Sequence, residues 1–363
     1  MPRRFLPPLG AALLAVFTVG AFYFSPNKPL SRPAPVAIAT NTATSTVAAS
    51  TTPEAPITAP AQVIDTSELA SVGAAATTTT PVVPTPNLTA VGGTLLKSTV
   101  NILCLAKRSS GFQSISGSGV VIDPRGLILT AAHIGQYFLL ADAEPGNISC
   151  TIRTGGPATT AYKAEPVYVS PTWIADNAKN ISEVAPKGTG ENDFAVLAIT
   201  ESATKAALPS SFTYVPLSSN TPTTGEKLAI SGYAAQYLAG SEIENDLYPT
   251  IVFDAITNRY TFNTSTIDVI SVSGTAAAQE GSSGGGMADS SGGLVGIITT
   301  SSVKGDISEH IVNAITPLHI RTSFAIDGEA NFDSYFAGAS LPTLISNFKG
   351  EEQKLEKTLL DAN

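Results

Sequence analysis

The sequence predicts an all-β fold of two antiparallel barrels, preceded by a long low-complexity segment and followed by a helical C-terminal extension. Three observations lead to this fold class. Between about residues 99 and 300, short apolar runs recur with Gly, Pro, Asn and Ser between them, the pattern of strands joined by turns. The runs fall into two sets, divided near Ser218-Ser219-Asn220. Towards the end the apolar period changes, and Leu341, Leu344, Ile345, Phe348, Leu355 and Leu359 share one helical face.

The chain begins Met1-Pro2-Arg3-Arg4, followed by a run from Phe5 to Phe24 without a charge. Basic residues before an apolar stretch mark an export signal with the N-terminus held inside. Residues 1–24 are therefore expected to be either a retained membrane anchor or a cleaved signal. Both place the remainder outside the cytoplasm. Residues 25–92 are dominated by Thr, Ala, Pro, Ser and Val, as in Thr77-Thr78-Thr79-Thr80-Pro81. Too few large apolar side chains occur there to offset the entropy of ordering the backbone, so a disordered spacer is expected.

The folded region is expected over 93–325, with barrels at about 93–205 and 213–320. Its first set of strands reads Thr99 to Cys104, Gly117 to Asp123, Leu127 to Thr130, Cys150 to Arg153, Tyr162 to Val169 and Phe194 to Ile199, enough for one closed antiparallel barrel. The second set includes Lys227 to Tyr233, Thr250 to Ile256, Arg259 to Phe262, Ile267 to Val272 and Leu294 to Thr300. Beyond Asp306 the pattern reads as helical, with the extension proper at 326–363.

Composition narrows the function classes. Only 13 % of the 363 residues are charged and the formal net charge is −9, which argues against nucleic acid as a partner. The two cysteines, Cys104 and Cys150, suit a disulfide in an exported chain, with two buried free thiols as the alternative. No CxxC or Cys/His cluster exists, so no metal is expected, and no organic cofactor either.

Three short motifs carry chemistry: Thr130-Ala131-Ala132-His133, Asn192-Asp193-Phe194-Ala195-Val196-Leu197 and Gly281-Ser282-Ser283-Gly284-Gly285. A serine hydroxyl needs an adjacent base to become a nucleophile. Ser283 is the candidate nucleophile, His133 the base, and Asp193 the group that orients the imidazole and stabilises its charged form. Glycines around Ser283 permit a tight turn, and the N–H groups of Gly281 and Ser283 are the expected oxyanion hole. Two barrels with a cleft between them would place His133 and Asp193 on the first and Ser283 on the second. Of the other histidines, His310 and His319 read as surface or packing residues.

At these residues the stretch from about Thr94 to Ile320 resembles the chymotrypsin-like (trypsin-fold) serine peptidases. The resemblance implies two six-stranded barrels, peptide-bond hydrolysis through an acyl-enzyme, and protein or peptide substrates. Leu294-Val295-Gly296-Ile297-Ile298-Thr299 is similar to the family's strand after the nucleophile. By that match Thr299 would support Asp193, and Thr300 and Ser301 would pair with the substrate backbone. The base of the primary pocket would lie at Ala277, with Ala278 beside it. Neither can neutralise a buried cation, so small or medium apolar residues are the expected preference. Cys104 and Cys150 would sit on neighbouring strands of the first barrel, implying a bridge.

The departures from the pattern are specific. Ser282 stands where digestive members carry Asp, Ile134 where a Cys usually follows the histidine, and Gly286 where Pro follows the Gly-Gly pair. All three look more like bacterial envelope peptidases of the HtrA-like kind. With about 40 residues after the second barrel, the similarity is expected to cover a peptidase domain without a PDZ domain. A catalytically silent peptidase-like binding module on a membrane-tethered stalk is the alternative.

Overall fold

The computed structural model of the chain describes residues 70–71, 86–108, 111–182, 190–262, 266–273, 275, 277, 279–301, 311–328 and 331–362. The expected anchor and most of the expected spacer lie outside the described residues. Among the described residues, no helix is long and apolar enough to cross a membrane.

A two-residue strand, β1 (Ala70–Ser71), and a helix, α1 (Pro86–Ser98), precede the first barrel. Residues 86–92 are thus helical, which corrects the spacer boundary expected at 92. Gly92-Gly93 looks like a helix breaker in isolation, but the Phe253 ring presses on Gly92, where a Cβ would come within 2.9 Å of it. Leu88 and Leu95 enter the core on the same face, so packing overrides local propensity here.

Six strands then close a barrel: β2 (Thr99–Arg108), β3 (Gly111–Asp123), β4 (Leu127–Thr130), β5 (Ile148–Thr154), β6 (Thr159–Val169) and β7 (Ala195–Ser202). Their order around the barrel is β2-β3-β4-β7-β6-β5, all neighbours antiparallel. Ile102, Val121, Ile128, Ile152 and Leu197 fill part of its interior. Cys104 lies directly opposite Cys150 across the β2–β5 ladder, and the two form a disulfide.

Helix α2 (Ala132–Ala143) leaves the end of β4, and α3 (Pro171–Asn177) leaves the end of β6. α2 has no counterpart among the sequence expectations because its apolar residues are not confined to one face. Ile134 and Phe138 pack on the barrel core, whereas Ala132, Leu139 and Leu140 pack with Phe348, Leu355 and Leu359 of the C-terminal extension. A helix covered on two sides loses the amphipathic signature that sequence patterns reveal.

The second sheet contains β8 (Lys227–Gly232), β9 (Thr250–Ala255), β10 (Asn258–Thr261), β11 (Val269–Ser273), β12 (Gly286–Ala288), β13 (Leu294–Ser301) and β14 (Ile311–Ile315). Helix α4 (Gly240–Asn245) lies between β8 and β9. The strand order is β1-β10-β11-β14-β13-β12-β8-β9. β9 comes alongside β11 without joining it in a ladder, so the sheet curls into a half-barrel. The expected pair of six-stranded barrels is therefore met by one closed barrel and one open sheet with seven strands besides β1. β14 also corrects the expectation that the chain is helical beyond Asp306. Its five residues, Ile311 to Ile315, are too few for the apolar period to separate strand from helix.

That helix is α5 (Pro317–Ile326), followed by α6 (Phe332–Gly338) and α7 (Leu341–Ala362). α7 is the expected C-terminal helix, and Leu344, Phe348, Leu355 and Leu359 are its buried apolar positions. His319 lies buried in α5 with its ring against Phe262 and Nδ1 3.4 Å from the Asp268 carboxylate, a packing position. His310 is outside the described residues.

Candidate active site

His133 is the second residue of α2, where β4 hands over to the helix. The first amides of a helix have no intrahelical acceptor. Asp193 supplies one: its Oδ1 accepts the His133 backbone N–H at 2.9 Å, while Oδ2 lies 2.8 Å from His133 Nδ1. One carboxylate therefore caps the helix and orients the ring. Its negative charge at the N-terminus also complements the helix dipole.

Asp193 is only 3 % exposed, at a turn entering β7. Its N–H donates to Gly190 O at 3.2 Å, and Phe194 N–H donates to Asn192 O at 2.8 Å. Asn192 has φ of +59°, a left-handed conformation that Asn tolerates better than most residues. The Ser323 hydroxyl of α5 donates to its side-chain oxygen.

The His133 side chain is 31 % exposed, so the ring reaches the surface with its Nδ1 edge held inside. Burial disfavours the imidazolium, but the charge and hydrogen bond of Asp193 outweigh it. The net effect raises the His133 pKa above the ordinary 6.5.

Ser283 sits in the turn between β11 and β12, and is the one residue of 281–285 that is not buried. Gly281 and Gly284 have φ of +90° and +84°. A Cβ on Gly281 would stand 2.5 Å from Tyr233 O, and one on Gly284 2.0 Å from Ser118 O. Conformation and space both demand glycine at these two positions.

The backbone of this turn can be accounted for group by group. Ser282 N–H donates to Gln279 O, Gly284 N–H to Ile298 O and Gly285 N–H to Ser282 O. The Glu280 carbonyl accepts from Ala235 N–H at 2.7 Å, the Gly281 carbonyl from the Ser118 hydroxyl at 2.7 Å, and the Ser283 carbonyl from Ser118 N–H at 2.7 Å. Among the described residues, the amides of Gly281 and Ser283 alone in 281–285 donate to no protein acceptor. In a trans peptide the N–H points opposite to the carbonyl. Gly281 N–H is consequently turned away from Ala235. Two such amides with one residue between them can bind an anionic oxygen.

The Ser283 hydroxyl makes no hydrogen bond with His133 among the described residues. Such bonds often tighten only when substrate arrives. The two segments are nevertheless joined, because the Thr130 hydroxyl, three residues before His133, donates to Ser118 O at 2.6 Å.

The remaining expected residues are distributed as follows. Thr299 is buried beside the Asp193 turn, and a Cβ on Gly190 would come 3.0 Å from its Oγ1. Its hydroxyl makes no hydrogen bond to Asp193 among the described residues. Thr300 is opposite Asn313 on β14 and accepts from its side-chain amide at 3.4 Å. Ser301 is opposite Val312. Along 299–301, β13 pairs with β14 on one edge, while the ladder with β12 stops at Ile297. Among the described residues, no strand pairs with the other edge of 299–301. Ala277 is fully buried among Val295, Ile298 and Val312, and Ala278 lies outside the described residues.

Asp142, Glu352 and Glu356 bring carboxylate oxygens within 4.8 Å of one another. Lys349 Nζ stands among them, 2.8 Å from Asp142 and 2.7 Å from Glu352. Its ammonium takes the place a cation would fill and ties α7 to the end of α2.

Sequence reasoning missed Ser118. The available signal was Gly117-Ser118-Gly119 inside a strand, where glycines weaken the strand but admit close approach of another backbone. The family model of the trypsin-like peptidase domain matches residues 117–297, a range that begins at this tripeptide and includes His133, Asp193 and Ser283. No curated protein matches the chain.

Proposed function

Because the chain belongs to the trypsin-like serine peptidases through residues 117–297, we propose that it is an active endopeptidase using Ser283, His133 and Asp193. The observation that carries this reading is the double hydrogen bond between His133 and the buried Asp193 carboxylate. It leaves Nδ1 protonated and makes Nε2 the basic nitrogen. His133 Nε2 takes the Ser283 proton as Oγ attacks the scissile carbonyl. The resulting oxyanion is held by the N–H groups of Gly281 and Ser283. His133 then delivers the proton to the leaving amine as the C–N bond breaks, and water resolves the acyl-enzyme by the same route.

An extended substrate would pair with the open edge of Thr299, Thr300 and Ser301, with the side chain before the cleaved bond directed towards Ala277 and Ala278. No carboxylate is assigned to that pocket, so the preference proposed is for small or medium apolar residues. The charged and apolar pattern of residues 1–24 supports export, with the domain outside the cytoplasm and either tethered to a membrane or released.

Profiling the full-length protein on a peptide library, beside Ser283→Ala, tests this function. Cleavage after small apolar residues by the wild type alone is expected. Efficient cleavage after Arg would refute the specificity. Equal cleavage by Ser283→Ala would refute the nucleophile. A folded wild-type protein with no cleavage would favour the binding-module alternative.

A further inference from the structure

We propose that Ser118 is a positioning residue for the nucleophile turn, fixing from the first barrel the peptides that follow Gly281 and Ser283 and so the orientation of the two residues whose N–H groups are the oxyanion donors. The proposal rests on reading Gly281 and Ser283 N–H as those donors.

Ser118 is fully buried on β3, and it uses every hydrogen-bonding group it has. Its hydroxyl accepts Tyr233 N–H at 2.8 Å and donates to Gly281 O at 2.7 Å. Its N–H donates to Ser283 O at 2.7 Å, and its carbonyl accepts the Thr130 hydroxyl at 2.6 Å. The two peptides flanking Gly281 are therefore both pinned: that before it by Ala235 N–H on Glu280 O, that after it by the Ser118 hydroxyl. Tyr233 and Ala235 belong to the same short segment after β8, so the Ser118 hydroxyl also anchors the segment that holds Glu280.

Gly281 needs such pins. It has no Cβ to restrict its torsions, and rotation of the peptide before it would turn the Glu280 carbonyl towards the cleft in place of an N–H. That exchange replaces a donor by an acceptor at the position where negative charge develops. Through its main-chain carbonyl the same residue is linked to Thr130 and the segment carrying His133, a link that Ser118→Ala retains, so the variant isolates the hydroxyl's hold on the nucleophile turn. An alanine at 118 would leave Tyr233 N–H and Gly281 O without their shared partner.

Second-order labelling rates with a fluorophosphonate probe, followed from about pH 5 to about pH 9, test the proposal on the full-length protein. The downfield proton resonance of His133 Nδ1 reports whether the His133–Asp193 pair is intact. Ser118→Ala is expected to label about 10- to 100-fold more slowly, with the pH midpoint and the His133 resonance unchanged. Ser118→Thr, which keeps the hydroxyl, is expected to recover to within about threefold of wild type.

Labelling of Ser118→Ala at the wild-type rate would overturn the proposal, as would a threonine variant as slow as the alanine one. So would a shift of the His133 resonance and pH midpoint together with the rate, or an alanine variant that does not fold, since either makes the role structural. A folded wild-type protein that does not label at Ser283 would instead sink the catalytic reading itself.

Discussion

The two sheets hold their shares of the site in different ways. The first is a closed barrel, stapled by Cys104–Cys150 and backed by α7, and it carries His133 and Asp193 in direct contact. The second is an open half-barrel whose contribution, the turn 281–285, is held by hydrogen bonds reaching across to Ser118 and down to Ile298. Orientation of the proposed base, His133, is thus a property of one sheet, whereas the shape of the turn 281–285 depends on both. Damage to the first sheet should appear mainly as lost stability until it reaches Asp193. Damage to the contact between the sheets should appear as lost rate.

The largest expected effect breaks the first sheet's part of the site. Asp193→Asn should lower kcat about 10⁴-fold, because an amide oriented by the same contacts no longer selects the Nδ1–H tautomer or stabilises the imidazolium. Steady-state kinetics at fixed pH would check this, and a loss under tenfold would contradict the assigned role.

Removing the staple should separate stability from chemistry. Replacing Cys104 and Cys150 together by serine is expected to cost about 3–4 kcal/mol, the chain-entropy value for a loop spanning a sequence separation of 46. Denaturant unfolding would measure it, and the surviving folded fraction should keep its specific activity. Leu359→Ala, at a fully buried position on α7, should cost about 2–3 kcal/mol. Because α7 packs on α2, partial loosening of His133 would broaden its ring resonances.

The smallest effect is on pH dependence, and its sign follows from Asp193. With neutral His133 as the proposed base, the rate should rise with pH through a midpoint above 6.5. Stability runs the other way. A histidine whose folded pKa is raised contributes most below its unfolded value of about 6.5 and loses that contribution as pH climbs through the folded value. A rate profile flat across this window would contradict the assignment of His133.

Legibility in the sequence followed the same division. The strands of the closed barrel are apolar runs bounded by turn residues, so all six could be read, and the His133 and Asp193 motifs lie at the ends of two of them. The half-barrel was only partly legible. β12 has three residues after a glycine run, and β14 has five, too few for the apolar period to separate strand from helix. α1 was hidden by Gly92, which looks like a breaker until Phe253 is placed against it, and α2 by burial on two sides. In the site, residue type and order identified His133, Asp193 and Ser283 as candidates. Ser118 is marked only by its flanking glycines, which admit another backbone without saying which one, and only the tertiary fold brings that backbone near.

The proposed activation of Ser283 by His133 and Asp193 can be tested by intact-mass analysis and peptide mapping of the full-length protein after fluorophosphonate treatment, with His133→Ala treated in parallel. One adduct on Ser283, formed by the wild type and not by the histidine variant, is the predicted result. A folded wild-type protein without an adduct, or an adduct on Ser283 that forms equally fast without His133, would contradict it.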